Sequence, residues 1–248
     1  MKRPAVLVVR SNGRFSEALR ETGCEVINLE LIQTEPVSDV SELVKTVRRI
    51  NEYDGIFLTS PAAAEILLRH LTPEGRKFHG NVYVLGERAR AVLDRSGLKL
   101  ISITNANTAQ DLILSIDEAD LTDKKLLFVC GDRSIRTIPE MLGGIARVDE
   151  LVVYRTVANS PDDGVIEGVK ARLKTNDIDW GCFFSPSGVD SFMAHFGDDD
   201  IGNVRAAAIG ETTAGRASEV GLNVAFISER SNAEDFAAGF AAYIKNIE

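Results

Sequence analysis

The sequence predicts an α/β protein built on parallel sheets, and three observations carry that expectation. Short apolar runs recur along the 248 residues and are continuous, not alternating, as in strands covered on both faces. Amphipathic stretches separate them, the strand–helix alternation of a parallel sheet. The two halves of the chain also echo one another at a nearly constant spacing, which points to two similar domains.

The run AVLVV predicts a strand over 5–9, closed by the turn Arg10-Ser11-Asn12-Gly13. Its apolar part is short and its exit polar, so it reads as a first strand and not as a secretion signal. A helix over 16–21 and a strand over 25–31 follow. Helical spacing then covers 41–51, a strand 55–59, and a helix 62–70 that opens on Ser60-Pro61. Strands over 82–85 and 99–103 flank a helix over 87–96, and a helix over 109–116 leads to strands over 125–130 and 146–154. Three further strands, 181–185, 206–209 and 223–227, precede a helix over 233–244.

The repeat is explicit in the residues. LGERARAVLDRSGLKL (85–100) lies over IGETTAGRASEVGLNV (209–224), so that Gly86 meets Gly210 and Leu98 meets Leu222, 124 residues apart. NTAQDL (107–112) meets SNAEDF (231–236) at the same spacing, and FLTSPAA (57–63) precedes its echo FFSPSG (183–188) by about as much. VLVVRSNGRF lies over LLFVCGDRSI, and Thr34 faces Thr156.

Two extended segments, 29–37 and 150–158, occupy equivalent places in this repeat. If the chain crosses between domains at both, one domain comprises 1–34 with 158–248 and the other 35–157. Linker strands near 31–37 and 152–158 would then leave a cleft between the lobes. A tandem split near residue 120 is the other arrangement the residues allow.

The net charge of −9 argues against nucleic acid as a partner. No apolar stretch is long enough for a bilayer, so no membrane role is expected. Cys24, Cys130 and Cys182 are far apart and lack metal-ligand spacing; they read as reduced thiols of a cytoplasmic protein. His70, His79 and His195 also lack ligand spacing, GDDDI (197–201) reads as a solvated loop, and no metal is expected.

Ligands of open parallel sheets lie at the carboxyl ends of strands, where helices begin. The chain is rich in Gly, Ser and Thr there: Thr59-Ser60-Pro61, Leu85-Gly86-Glu87, Cys130-Gly131-Asp132-Arg133, Ser185-Pro186-Ser187-Gly188 and Gly210-Glu211-Thr212-Thr213. Singly, Ser60 and Ser185 read as helix N-caps. Together the turns offer amide and hydroxyl donors suited to an anion. Neither a phosphate loop nor a dinucleotide fingerprint is among them. Tyr154 closes its strand where the chain is expected to cross.

These residues resemble uroporphyrinogen-III synthase, over essentially the whole chain: VVR with LRETGCEV, FLTSPAA, ELVVYRTV, FFSPSGVDSF and AIGETTAGRASEVGLNV. The resemblance implies two flavodoxin-like domains joined by a two-stranded linker, which favours the double crossing. It implies an enzyme that needs no cofactor and closes hydroxymethylbilane, a linear tetrapyrrole polycarboxylate, with inversion of ring D and loss of water. Tyr154 matches the family tyrosine thought to assist departure of the hydroxyl. Thr59, Ser60, Gly86, Ser185, Ser187, Gly188, Gly210, Thr212 and Thr213 match its substrate loops, and Arg10 and Arg155 are further candidates for carboxylate contact. A monomer is expected. The chain departs from the family pattern at Ala62, Ala89 and Cys130, all in one lobe. A two-lobed protein that binds an anionic ligand without catalysis, and a nucleotide-binding regulator, are the alternatives that the residues leave open.

Overall fold

Continuous apolar runs become strands that no solvent reaches: AVLV, GIFL and WGCF are buried at every position. The computed structural model describes residues 3–73, 75–103, 106 and 108–247, except for the side chains of 198–200 and 247. Asn107, first residue of the 107–112 match, and the aspartate side chains of GDDDI lie outside the described residues.

In chain order the elements are β1 (Ala5–Val8), α1 (Arg14–Glu21), β2 (Glu25–Asn28), β3 (Ile32–Pro36), α2 (Ser41–Arg48), β4 (Gly55–Leu58) and α3 (Pro61–His70). Next come β5 (Asn81–Val84), α4 (Glu87–Leu93), β6 (Leu100–Ser102), α5 (Ala109–Leu114), β7 (Lys125–Gly131), α6 (Thr137–Leu142) and β8 (Arg147–Ala158). The chain ends with α7 (Asp163–Lys174), β9 (Trp180–Phe183), α8 (Pro186–Asp200), β10 (Arg205–Ala208), α9 (Glu211–Glu219), β11 (Asn223–Ile227) and α10 (Ala233–Ile247).

The chain divides into two compact units, Met1–Gln33 with Ala158–Glu248, and Thr34–Val157. One sheet has the order β11-β10-β9-β1-β2, the other β3-β8-β7-β4-β5-β6. The ladders β1·β2, β1·β9, β9·β10, β10·β11, β4·β5, β4·β7, β5·β6 and β7·β8 are all parallel. Matching β7 to β1, β8 to β2, β4 to β9, β5 to β10 and β6 to β11 makes the two orders identical, with β3 added at one edge. The sequence repeat is therefore a repeat of topology, entered at a different strand in each unit.

Each sheet is covered on both faces. In the first, Leu7, Val9 and Phe183 pack with Val169, Leu173, Val189 and Phe192 of α7 and α8. Val6, Val8 and Cys182 pack on the other face with Phe15 and Leu19 of α1 and Phe236 and Phe240 of α10. In the second, Ile56 and Leu58 meet α2, α3 and α4, while Phe57, Phe128 and Cys130 meet α5 and α6. Neighbouring strand residues thus serve opposite layers, the side-chain alternation of a pleated strand.

All three cysteines are buried. Burial, with a smaller push from Glu150, raises the Cys130 thiol to about 11. Burial also holds the Cys182 thiol well above its ordinary value. Because the thiolate is the nucleophile, a water-soluble disulfide reagent at mildly alkaline pH is expected to leave the native thiols unreacted and to titrate all three after unfolding. Rapid labelling of the native protein would contradict this packing.

Candidate active site

In the unit Met1–Gln33 with Ala158–Glu248, strand order reverses between β1 and β9: the chain builds outward through β2 on one side and through β10 and β11 on the other. The connections on either side of such a reversal diverge and leave a crevice at the strand carboxyl ends. The loop after β9 carries Ser185, and the turn after β1 carries Arg10.

Ser185 has extended backbone and caps α8, its Oγ accepting from the Gly188 amide at 3.1 Å. Pro186 follows, where the first helical turn needs no N–H. The Ser187 hydroxyl lies 3.1 Å from that of Ser185. Gly188 is buried with its amide already bonded to the cap, so the side-chain donors of this loop are the hydroxyls of Ser185 and Ser187.

The Arg10 guanidinium lies over the Phe184 ring, 4.4 Å from its centroid, which sets a positive charge beside the Ser185 loop. The turn holding Arg10 is itself pinned. Asn28 Nδ2 donates to the Arg10 carbonyl at 3.3 Å and to Ser16 Oγ at 2.7 Å, while Arg20 bridges Asn12 and Asn28 at 2.8 and 2.9 Å. Gly210 opens α9 after β10 with extended backbone. A side chain there would overlap the hydroxyl of Ser231, so glycine permits that close approach. Thr212 is exposed, whereas Thr213 is buried on the inner face of α9.

In the unit Thr34–Val157 the reversal falls between β4 and β7. Thr59 and Ser60 leave β4, and Ser60 caps α3 by accepting from the Ala63 amide at 3.4 Å. Gly86 opens α4 at φ 84°, a left-handed conformation that glycine adopts without strain. Ala89 is buried in the core with Leu93, and Cys130 in the core with Phe128; both are packing residues.

Tyr154 lies on β8, one strand beyond the reversal. The ladder shifts between Cys130 and Gly131, so that Cys130 faces Val152 but Gly131 faces Tyr154. Val153 is the extra residue, and this bulge lets Val153 and Tyr154 pack in succession against the same core layer. The Tyr154 ring is half-buried, and among the described residues its hydroxyl has no hydrogen-bond partner. Beyond it the turn after β7 holds β8 in place. The Asp132 amide donates to the Tyr154 carbonyl at 3.1 Å, Asp132 Oδ1 accepts from the Thr156 amide at 2.9 Å, and Ser134 Oγ accepts from the Gly131 amide at 2.9 Å.

Arg155 is exposed on the next position of the strand. His70 and His195 each bond a carbonyl one turn back in their own helix, at 2.8 and 2.7 Å. Among the described residues no group of three or more His, Cys, Asp or Glu could hold a metal ion, and no helix is long and apolar enough to cross a membrane. Asn28, Arg20 and Ser134 are supporting residues that sequence reasoning did not single out, while Gly131 and Asp132 were named only as part of the turn after β7. The repeat could have found Ser134, since it sets this turn opposite the one that carries Arg10.

The family model of Uroporphyrinogen-III synthase HemD matches residues 13–238. The chain belongs to the uroporphyrinogen-III synthase family. A uroporphyrinogen-III synthase of Chlorobaculum parvum is 30% identical over 97% of this chain and 99% of its own length. A porphyrin biosynthesis protein HemD of Ruminiclostridium josui is 24% identical over 93% of this chain, which spans 47% of that longer protein. Among solved structures, uroporphyrinogen-III synthetase of Helicobacter pylori matches over 98% of this chain and 100% of its own, with TM-score 0.67 and 18% identity. A mutant uroporphyrinogen III synthase of Thermus thermophilus matches over 98% and 99%, with TM-score 0.64 and 18% identity. The solved structures establish a shared α/β fold.

Removing a cap hydroxyl leaves a helix amide unsatisfied. Ser185→Ala and Ser60→Ala are each expected to lower unfolding stability by about 1 kcal/mol. The loss should be larger for Ser185, whose bond is the shorter. Equilibrium urea unfolding measures both, and two unchanged midpoints would contradict the capping geometry.

Proposed function

We propose that this chain closes hydroxymethylbilane to uroporphyrinogen III, with inversion of ring D and loss of water. The observation that carries the reading is the placement, within each unit, of the family's Ser-Pro loop at the point where strand order reverses, with Tyr154 one strand away in one of them. We propose further that the two units are flavodoxin-like domains, 1–34 with 158–248 and 35–157, joined by linker strands near 31–37 and 152–158. The pairing of β3 with β8 and the bond from the Asn159 amide to the Leu31 carbonyl at 2.9 Å support that reading.

The physical task is mainly positional. The bilane closes unaided to the isomer that keeps ring D in its original sense, so the enzyme must favour one geometry of attack. Amides and hydroxyls of Thr59, Ser60 and Gly86 in one unit, and of Ser185, Ser187, Gly188, Gly210, Thr212 and Thr213 in the other, hold substrate carboxylates directly or by bracing the loops that do, with Arg10 and Arg155 supplying charge. Charge-assisted bonds of this kind are the stronger class and offset the repulsion expected from a net charge of −9. Two of these groups work indirectly: Gly188 has its amide in the cap, and Thr213 packs the helix that presents Thr212.

Tyr154 donates its O–H to the departing hydroxyl. The C–O bond breaks and water leaves; the N–H proton of the same pyrrole is lost, which gives the azafulvene and makes good the proton Tyr154 supplied, and the azafulvene is attacked through a spiro intermediate that rearranges with ring D inverted. A hydroxyl without a hydrogen-bond partner among the described residues is free to make that bond.

Purified protein supplied with fresh hydroxymethylbilane is expected to yield isomer III in excess over isomer I; isomer I alone, as without enzyme, would overturn the function. Tyr154→Phe is expected to lower kcat for isomer III by about 100-fold, the lower end of a general-acid contribution, with KM changed less. Unchanged kcat would remove Tyr154 from the chemistry and leave the function standing. Stoichiometric binding of the tetrapyrrole with no isomer III would identify a binding protein.

A further inference from the structure

We propose that Gly131 is a positioning residue for Tyr154, its missing side chain being the space in which the phenol ring lies. The inference rests on the role given to Tyr154 above. A methyl at Gly131 would overlap ring carbons Cε2 and Cζ of Tyr154 and lie 2.8 Å from the hydroxyl. Gly131 and Tyr154 face each other directly across the β7·β8 ladder, just after the bulge.

Three features make this space specific. Gly131 does not occupy a left-handed conformation, so its backbone does not itself require glycine. Glycine within a strand gives up packing and loses more chain entropy than alanine, which leaves close approach as its reason for being there. The backbone also cannot retreat. Ser134 holds the Gly131 amide, and Asp132 bonds both the Tyr154 carbonyl and the Thr156 amide, so a methyl would displace the ring and not the strands. In the sequence repeat, finally, Ser11 stands at the place of Gly131 and Ile32 at that of Tyr154: the half without the tyrosine also lacks the glycine.

The test is a cycle of Gly131→Ala, Tyr154→Leu and the double variant, with kcat, KM, isomer ratio and thermal midpoint measured for each. Fluorine NMR of protein carrying 3-fluorotyrosine reports the ring directly, since the chain has four tyrosines and Tyr154→Leu assigns the one that matters. Gly131→Ala is expected to shift the Tyr154 resonance and leave those of Tyr53, Tyr83 and Tyr243 in place. It should lower kcat for isomer III by about 100-fold, the scale of a misplacement near 1 Å, with KM changed less. In the Tyr154→Leu background the same methyl meets no ring, so it should cost no further activity and its effect on the thermal midpoint should largely vanish. That midpoint comparison stands even if Gly131→Ala folds poorly alone. An unmoved Tyr154 resonance, or a loss of equal factor in both backgrounds, would overturn the proposal. Wild-type kcat in Tyr154→Leu would instead overturn the role of Tyr154, and a shifted resonance in Gly131→Ala would still report the contact.

Discussion

Parallel strands send all their carboxyl ends to one edge of a sheet, and a reversal of strand order opens a crevice at one point of that edge. In this chain each unit has one such reversal, between β1 and β9 and between β4 and β7. Both Ser-Pro loops leave a strand that borders the reversal. The placement of every other candidate group follows from this constraint. Arg10 emerges on the far side of the reversal from Ser185, and the turn that fixes β8 emerges on the far side from Ser60.

The candidate loops spend much of their polar capacity on themselves. Ser185 and Ser60 cap helices, Asn28 and Arg20 brace the Arg10 turn, and Asp132 and Ser134 brace Gly131 and Thr156. Such bracing fixes where the remaining donors point, which is what a positional catalyst requires. It also reconciles an acidic protein with an acidic substrate. The field of the whole chain is unfavourable, but donors and arginines with the roles we propose would act at contact distance, where charge-assisted bonds outweigh a screened distant field.

The strands were legible because burial on both faces leaves unbroken apolar runs, as in AVLV, GIFL and WGCF. β3 was legible only as an extended segment; IQTEP is mostly exposed, so no hydrophobic pattern marks its pairing. β8 runs past the expected 146–154 to Ala158, because the edge pairing continues where the apolar run stops. α7 buries little more than Val169 and Leu173, too narrow a stripe to announce itself. At the site, Ser-Pro at the end of an apolar run announces a cap, and both caps are there. The seat of Arg10 on Phe184 and the space over Gly131 are another matter. Each joins residues far apart in sequence, and the second also depends on a one-residue bulge. On α9, whose residues are small or polar, no apolar stripe marks which of two adjacent threonines turns inward: Thr213 is buried and Thr212 exposed.

In each unit, we propose, the loops that bind substrate are those at the carboxyl edge of its sheet. Hydrogen–deuterium exchange with and without bound uroporphyrinogen III tests it most directly. Added protection is expected around 10–13, 59–63, 86–90, 185–189 and 210–214, together with β8 near Tyr154, and little change at the opposite strand ends. Protection at the amino ends of the strands, or on the outer helices alone, would contradict it.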